Sequence, residues 1–445
     1  MDSPVFFGDV VAKAAAIVSN ASLPAVLGSP LLIRDVYGLV SIALNVKRSE
    51  HQGTVSKLEA EAAKLGVYAA SPSVVCVDDF FDAEQVFNDP SIIQLAVPGT
   101  ELLVHILERQ ITGQDWLAGG GDGGATPTES VAQRLVFFGL KGGVGRSTAL
   151  AVLAYQLARA GKQVLLIDLD LESPGLSGLL LPPERLADFG VVDWLVEDAV
   201  GQGPEVARRM VAASPLSENL RDEIRVAAAI GNGDRYYLDK LSRVYADVSV
   251  ENRQQRFSQR VKRLVRTLEE QEKPDVVLID SRAGIHDLAA VSIVELASTA
   301  FLFATDAAAG WQGYRLLFSH WQSRPSVARS VRERLKMVSA LFPEADQSIR
   351  AKRFLERSYT LFADTLYDEV DAGGSHREDQ DLFNFDVDDT SSPHYPLRIK
   401  WNARFQEFDP LQIPRGLFSD DEIRSAYGEF LDGAMQLLRG AQPNE

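Results

Sequence analysis

Phe137-Phe138-Gly139-Leu140-Lys141-Gly142-Gly143-Val144-Gly145-Arg146-Ser147-Thr148 decides how the rest of this chain is read. An apolar run, Leu135 to Phe138, leads into a loop with three glycines in four residues, and an alanine- and leucine-rich helical pattern follows from Ser147 to Ala160. Strand, glycine loop and helix in that order point backbone N–H groups and a helix N-terminus at a phosphate. Gly142, Gly143 and Gly145 remove the Cβ atoms that would hold the backbone away from phosphate oxygens. Ser147 stands where a hydroxyl reaches a magnesium ion bridging the phosphates. A glycine-rich turn without ligand is the plainer reading, and the strand before it and the helix after it argue against that.

The usual wording of such a loop is G-x-x-x-x-G-K-[ST], from which this stretch departs twice: Leu140 holds the first glycine position and Arg146 replaces the lysine. It resembles the deviant Walker A motif, K-G-G-x-G-K-[ST], of the ParA/MinD-type P-loop ATPases, as a variant reading KGGVGR. That resemblance implies an α/β fold with a doubly wound, mostly parallel sheet. It implies ATP and Mg2+ as ligands, with Lys141, Gly142, Gly143, Val144, Gly145, Arg146, Ser147 and Thr148 around the nucleotide. It also implies a homodimer in the ATP state, with Lys141 reaching into the facing subunit's site. Arginine keeps the lysine's charge but replaces a compact ammonium with a wide planar fork.

Two further stretches carry the resemblance, which spans residues 132–345. Gln163 to Ile167 reads as a parallel strand and runs into Asp168-Leu169-Asp170-Leu171-Glu172-Ser173-Pro174-Gly175. Carboxylates at the carboxyl end of a parallel strand face the crevice where α/β sheets bind ligands. By resemblance Asp170 orients the attacking water and Asp168 supports the magnesium shell. Pro274 to Gly284 reads as a strand ending in Asp280, placed to hold magnesium together with Ser147, with Gly284 where a switch glycine responds to the γ-phosphate. Arg282 and Ala283 replace the prolines common there, and His286 and Asp287 read as the start of a helix. Pro343, after the strand expected at Leu335 to Phe342, is a candidate to frame adenine. No [NT]-K-x-D guanine-reading turn occurs, so ATP is preferred over GTP.

Composition narrows the classes. Apolar residues at 46% and charged residues at 24% belong to an ordinary globular chain, and 445 residues suggest two or three domains or one large domain with an appendage. No apolar run is long enough for a membrane span, and Asp2 and Asp9 stand where a secretory signal would be basic. A single cysteine, Cys76, permits no internal disulfide and cannot hold an iron–sulfur cluster, so a cytoplasmic protein is expected. The net charge of −17 disfavours broad DNA binding without excluding a local basic patch. Arg256, Arg260, Arg263 and Arg266 read as such a patch, on the face opposite Phe257, Val261, Leu264, Val265 and Leu268.

Residues 1–117 read as an N-terminal α/β module of unknown function, with strands near 31–33, 39–44 and 73–77 and helices over 55–65 and 101–111. Asp78, Asp79 and Asp82 read as solvated loop charge rather than a metal site. Residues 118–130, with five glycines in the six residues from Gly119 to Gly124, read as a flexible linker. The ATPase domain is expected over 131–440. Within it, residues 364–390 hold ten acidic side chains against one arginine and read as an exposed, partly disordered insertion. Strands are expected at 224–230, 300–304 and 395–401, and helices at 253–268, 311–321 and 420–438. The acidic C-terminal helix has no cationic face for a membrane. The reading is an ATP- and Mg-dependent dimerising ATPase that hydrolyses ATP to ADP and phosphate as a molecular switch. Its alternative is an ATP-sensing scaffold that hydrolyses little and regulates an unidentified protein partner through residues 1–117.

Overall fold

A computed structural model describes residues 4–21, 29–89, 91–96, 103–110, 112–117, 132–250, 253–369, 382–406, 408–411 and 420–440. The expected linker at 118–130 lies outside them. The chain divides into two units, residues 1–114 and 115–445.

The first unit is built on strands β1 (Leu31–Arg34), β2 (Val40–Leu44), β3 (Ala69–Cys76), β4 (Ile93–Ala96) and β5 (Leu103–Glu108), in the order β3-β2-β1-β5-β4. Pairing is parallel for β1/β5 and β2/β3 and antiparallel for β1/β2 and β4/β5. Consecutive residues point to opposite faces. Thus Leu32, Ile42, Val74 and Ile106 meet the helices Phe7–Asn20 and Gln52–Ala62, while Leu31, Ala43 and Leu107 line the other side. The helix expected over 101–111 is instead β5. Its Val104 and Ile106 fall on one face and Leu107 on the other, a period of two, and β1 supplies its parallel partner. The aspartates near 78–82 are more than solvated loop charge. Asp79 accepts the Cys76 N–H at 2.8 Å and pairs with Arg48 at 2.9 Å, and Asp82 caps the short helix Ala83–Phe87.

The second unit holds β6 (Gln133–Gly139), β7 (Val164–Leu169), β8 (Ala212–Ala213), β9 (Ile224–Ala227), an antiparallel pair β10 (Val248–Val250) and β11 (Arg253–Gln255), β12 (Val276–Ser281), β13 (Thr299–Ala304), β14 (Leu335–Phe342) and β15 (Leu397–Lys400). Eight of these form one sheet in the order β15-β14-β13-β6-β12-β7-β9-β8, parallel except for β8. The sheet is doubly wound. On one face Val136, Phe138, Val277 and Ile279 pack under the helices Phe257–Glu272 and Ala308–Gln322; on the other, Leu135, Phe137, Val276 and Leu278 pack under Arg146–Arg159 and Asp420–Gly440. Burial on both faces is why these strands read as continuous apolar runs. Phe430 of the last helix sits 5.3 Å from Phe301 and 6.2 Å from Phe137, ring to ring.

β7 and β12 lie on one side of β6, and β13 and β14 on the other. The chain therefore leaves the central strand in opposite directions, which opens a crevice at the carboxyl ends of the strands. Residues 115–117 belong to this unit: Trp116 packs on Phe138 and Trp321, and the Trp321 indole donates to the Trp116 carbonyl at 3.0 Å.

Arg260 departs from the expected basic face, since it is fully buried. It lies three residues after Phe257 and four before Leu264, so helical geometry puts it on the apolar stripe. Asp198 and the Leu195 and Ala246 carbonyls accept its donors. The described flanks of the acidic stretch 364–390 also pack: Leu366 and Tyr367 are buried, and Asp368 holds Arg332 at 2.7 Å and accepts the Phe383 N–H at 2.8 Å. Among the described residues no helix is long and apolar enough to cross a membrane.

Candidate phosphate and magnesium site

β6 ends at Gly139, the loop Leu140–Gly145 turns, and the helix begins at Arg146. Gly143 and Gly145 have φ of +73° and +79°, a region that disfavours side chains. A Cβ on Gly142 or Gly143 would meet nothing within 4 Å, so the loop presents bare backbone to the crevice. Lys141 is exposed at its mouth. Val144 leans back toward Gly139, where an added Cβ would lie 3.2 Å from its methyl, and Thr148 sits half-buried in the first helical turn.

Register brings the carboxylates together. Asp280 on β12 stands opposite Asp168 on β7, and both are essentially buried. Ser147 Oγ donates to Asp280 Oδ2 at 2.5 Å, while Asp280 Oδ1 is buried with no hydrogen-bond partner. Asp168 shapes the loop after β7, accepting the Asp170 N–H at 3.0 Å and the Leu176 N–H at 3.2 Å. Asp170 pairs with Arg146 at 3.2 Å. Burial pushes the Asp168 carboxyl well above the usual range, and the charge of Asp280 adds to that. Burial likewise raises Asp280 to about 6, against the pull of Arg146 and the Ser147 hydrogen bond. Asp170 is raised by burial and opposed by Arg146. Burial and mutual charge thus hold all three carboxyls above their ordinary range, and Arg146 is the cation that opposes the rise at Asp170 and Asp280.

The donors here are oxygens, and one is orphaned, which suits a hard divalent ion. Among the described residues no three His, Cys, Asp or Glu side chains converge to hold a metal. An ion at Ser147 and Asp280 would therefore lean on phosphate and water, as magnesium does. Arg146, Ser147, Asp168, Asp170 and Asp280 thus come together, while Lys141 stays outside the carboxylate group.

The sequence names several neighbours but not their contacts. Glu172 pairs with Arg282 at 2.5 Å and accepts the Tyr245 hydroxyl. His286 packs its ring 4.9 Å from Tyr245 and caps the following helix by accepting the Leu288 N–H at 3.3 Å. The Gly284 N–H donates to the Gly139 carbonyl at 3.0 Å. Beyond Gly145, a pocket of about 300 Å³ opens at the ends of β13 and β14, lined by Thr305, Asp306, Leu341, Pro343 and Arg350. Leu341 has φ +50° where the β14/β15 register shifts, a strained residue beside the loop.

Parallel strand order, glycine loop and strand-end carboxylates define a P-loop nucleotide-binding domain. Residues 135–289 match the family model of the CobQ/CobB/MinD/ParA nucleotide binding domain, which supports a ParA/MinD-type P-loop domain for this part of the chain. A curated relative, the chromosome-partitioning ATPase Soj of Thermus thermophilus, is 47% identical over 107 residues, covering 20% of this chain and 42% of the relative. The chain thus spans less than half the length of that relative. Among solved structures, it is similar to a ParA family ATPase from Chlorobium tepidum, at 13% identity and a TM-score of 0.41 over 68% of this chain and 98% of the other. It is similar also to the MinD cell division protein of Aquifex aeolicus, at 18% identity and a TM-score of 0.41 over 71% of this chain and all of the other. At these scores neither likeness bears on function.

Proposed function

We propose that residues 132–440 bind ATP with Mg2+, hydrolyse it to ADP and phosphate, and use the cycle as a dimerising switch. The observation that carries this reading is the buried, unpartnered Asp280 Oδ1 beside Ser147, at the start of the helix that follows the glycine loop. Loop N–H groups from Gly142 to Gly145 cradle phosphate oxygens, and Val144 and Thr148 shape the loop around them. Ser147 and Asp280 hold the metal, with Asp168 fixing the shape of the adjoining turn. When bound, Mg2+ neutralises charge on the phosphate oxygens. Asp170 accepts a hydrogen bond from the water that attacks. Lys141, exposed at the loop's mouth, extends to a facing copy's phosphates. The base sits in the pocket beside Leu341 and Pro343.

One observation favours the second reading, a sensing scaffold of low turnover that acts on a protein partner through residues 1–117. Arg146 is paired to Asp170, the group meant to orient water. The test is calorimetry with Mg2+ and ATP on wild type and Asp280→Ala. Affinity should fall at least tenfold, about 1.4 kcal/mol, with the fold intact by circular dichroism. Unchanged affinity would remove Asp280 from the metal site.

A further inference from the structure

Arg146 stands where a phosphate-binding loop carries its lysine, yet both terminal nitrogens are engaged elsewhere. One donates to the Ser281 carbonyl and the other to Asp170 Oδ2 at 3.2 Å. The side chain is only 7% exposed. Its stem runs past Gly139, where an added Cβ would come within 3.3 Å of Arg146 Cδ. Ser281 ends β12 and opens the turn that Gly284 closes against Gly139, and Asp170 sits in the turn after β7. One guanidinium therefore touches both turns that flank the phosphate site. A second contact joins the same two turns, Arg282 to Glu172 at 2.5 Å, with the Tyr245 hydroxyl on the same carboxylate oxygen.

We propose that Arg146 is a positioning residue that clips the turn after β7 to the turn after β12 and holds Asp170 in one orientation, with Arg282–Glu172 as a second rung. Its role in a nucleotide cycle rests on the function proposed above, but the clip itself is made by this chain's own atoms. A planar fork reaches two acceptors in different directions, whereas a lysine's single nitrogen does not span them equally. The charge balance agrees. Arg146 already answers the buried carboxylates of Asp170 and Asp280. Phosphate charge then falls to the loop N–H groups, the metal and Lys141.

Hydrogen exchange on the nucleotide-free full chain tests this. In Arg146→Lys the amides of 170–176 and 281–286 should exchange at least about tenfold faster, while those of helix 146–159 keep their protection. Arg282→Gln should raise the same two segments by less. No change in Arg146→Lys, or a change in one segment only, overturns the clip. Asp170→Ala provides a route independent of any folding defect in the arginine variant. It should loosen the 281–286 turn, and combining it with Arg146→Lys should add little; additive effects overturn the coupling. Calorimetry with a non-hydrolysable ATP analogue adds a second readout. Arg146→Lys should bind within about threefold of wild type, and a loss beyond about tenfold would make Arg146 the phosphate cation instead. Wild type that binds no nucleotide would defeat the proposed function, while the exchange data alone still decide the clip.

Discussion

The two large sheets of this chain treat charge in opposite ways. In residues 1–114 ion pairs lie at the rim, Arg34 with Glu108 at 2.6 Å and Arg48 with Asp79 and Glu59 at 2.9 Å, and no charged side chain among the described residues is buried. In residues 115–445 Arg146, Asp168, Asp170 and Asp280 are buried side by side where β7 and β12 end and the helix after the glycine loop begins. Desolvating an ion costs several kcal/mol unless partners offset it, so buried charge needs a reason that exposed charge does not. The contrast locates the chemistry. Elsewhere in the same unit buried charge is matched by a partner, Arg260 by Asp198 and Arg332 by Asp368; in the crevice three carboxylates share one arginine and one carboxylate oxygen has no partner.

The sharpest way to break that contrast is Asp170→Ala. Turnover should fall by roughly a thousandfold, within the range of a lost proton-handling group, while ATP binding stays within about threefold. Turnover that survives would take Asp170 out of its role.

Asp115 sharpens the contrast from outside the crevice. Burial raises it to about 7, Asp287 and Glu295 push the same way, and a Ser258 hydrogen bond opposes them. Its folded value lies above the unfolded one, so the folded chain retains this proton between about pH 4 and 7. The associated stability is fully present below pH 4 and is lost as pH rises through 7. The loss is on the order of 3 to 4 kcal/mol. Asp115→Asn should therefore gain on wild type by up to that amount between pH 4 and 8 in denaturant melts; a pH-independent difference would contradict it.

Lys141→Ala probes a charge at the loop's mouth. Light scattering with a non-hydrolysable analogue should show dimerisation weakened by about tenfold, against no more than about twofold for binding by dilute protein. Equal losses would mean that Lys141 serves its own phosphates. The smallest effect belongs to the first unit. Arg34→Ala breaks a two-bond pair with Glu108 and a stacking on Phe7 at 4.3 Å, and should cost about 1 kcal/mol. ATP affinity should not move, and a change would blur the division between the units.

How far the sequence could be read follows from the same physics. β6, β7, β12, β13 and β14 are legible because strands buried on both faces are unbroken apolar runs, and Asp168, Asp170 and Asp280 stand out at their ends. Ser147 was legible because glycines announce the loop before it. The contacts of Arg146 were not, since a backbone carbonyl 135 residues away has no signature. Arg260 misled because a charged residue on an apolar stripe reads as surface unless its partners, here Asp198 and main-chain carbonyls, are known. The stretch of β5 reads as a helix because its period of two spans only six residues and needs β1 beside it to be seen.

ATP turnover per chain, followed from nanomolar to tens of micromolar protein with and without Mg2+, tests the dimerising ATPase most directly. Turnover per chain should rise with protein concentration and vanish without the metal. Turnover that stays constant per chain, or none above background at any concentration, would contradict it.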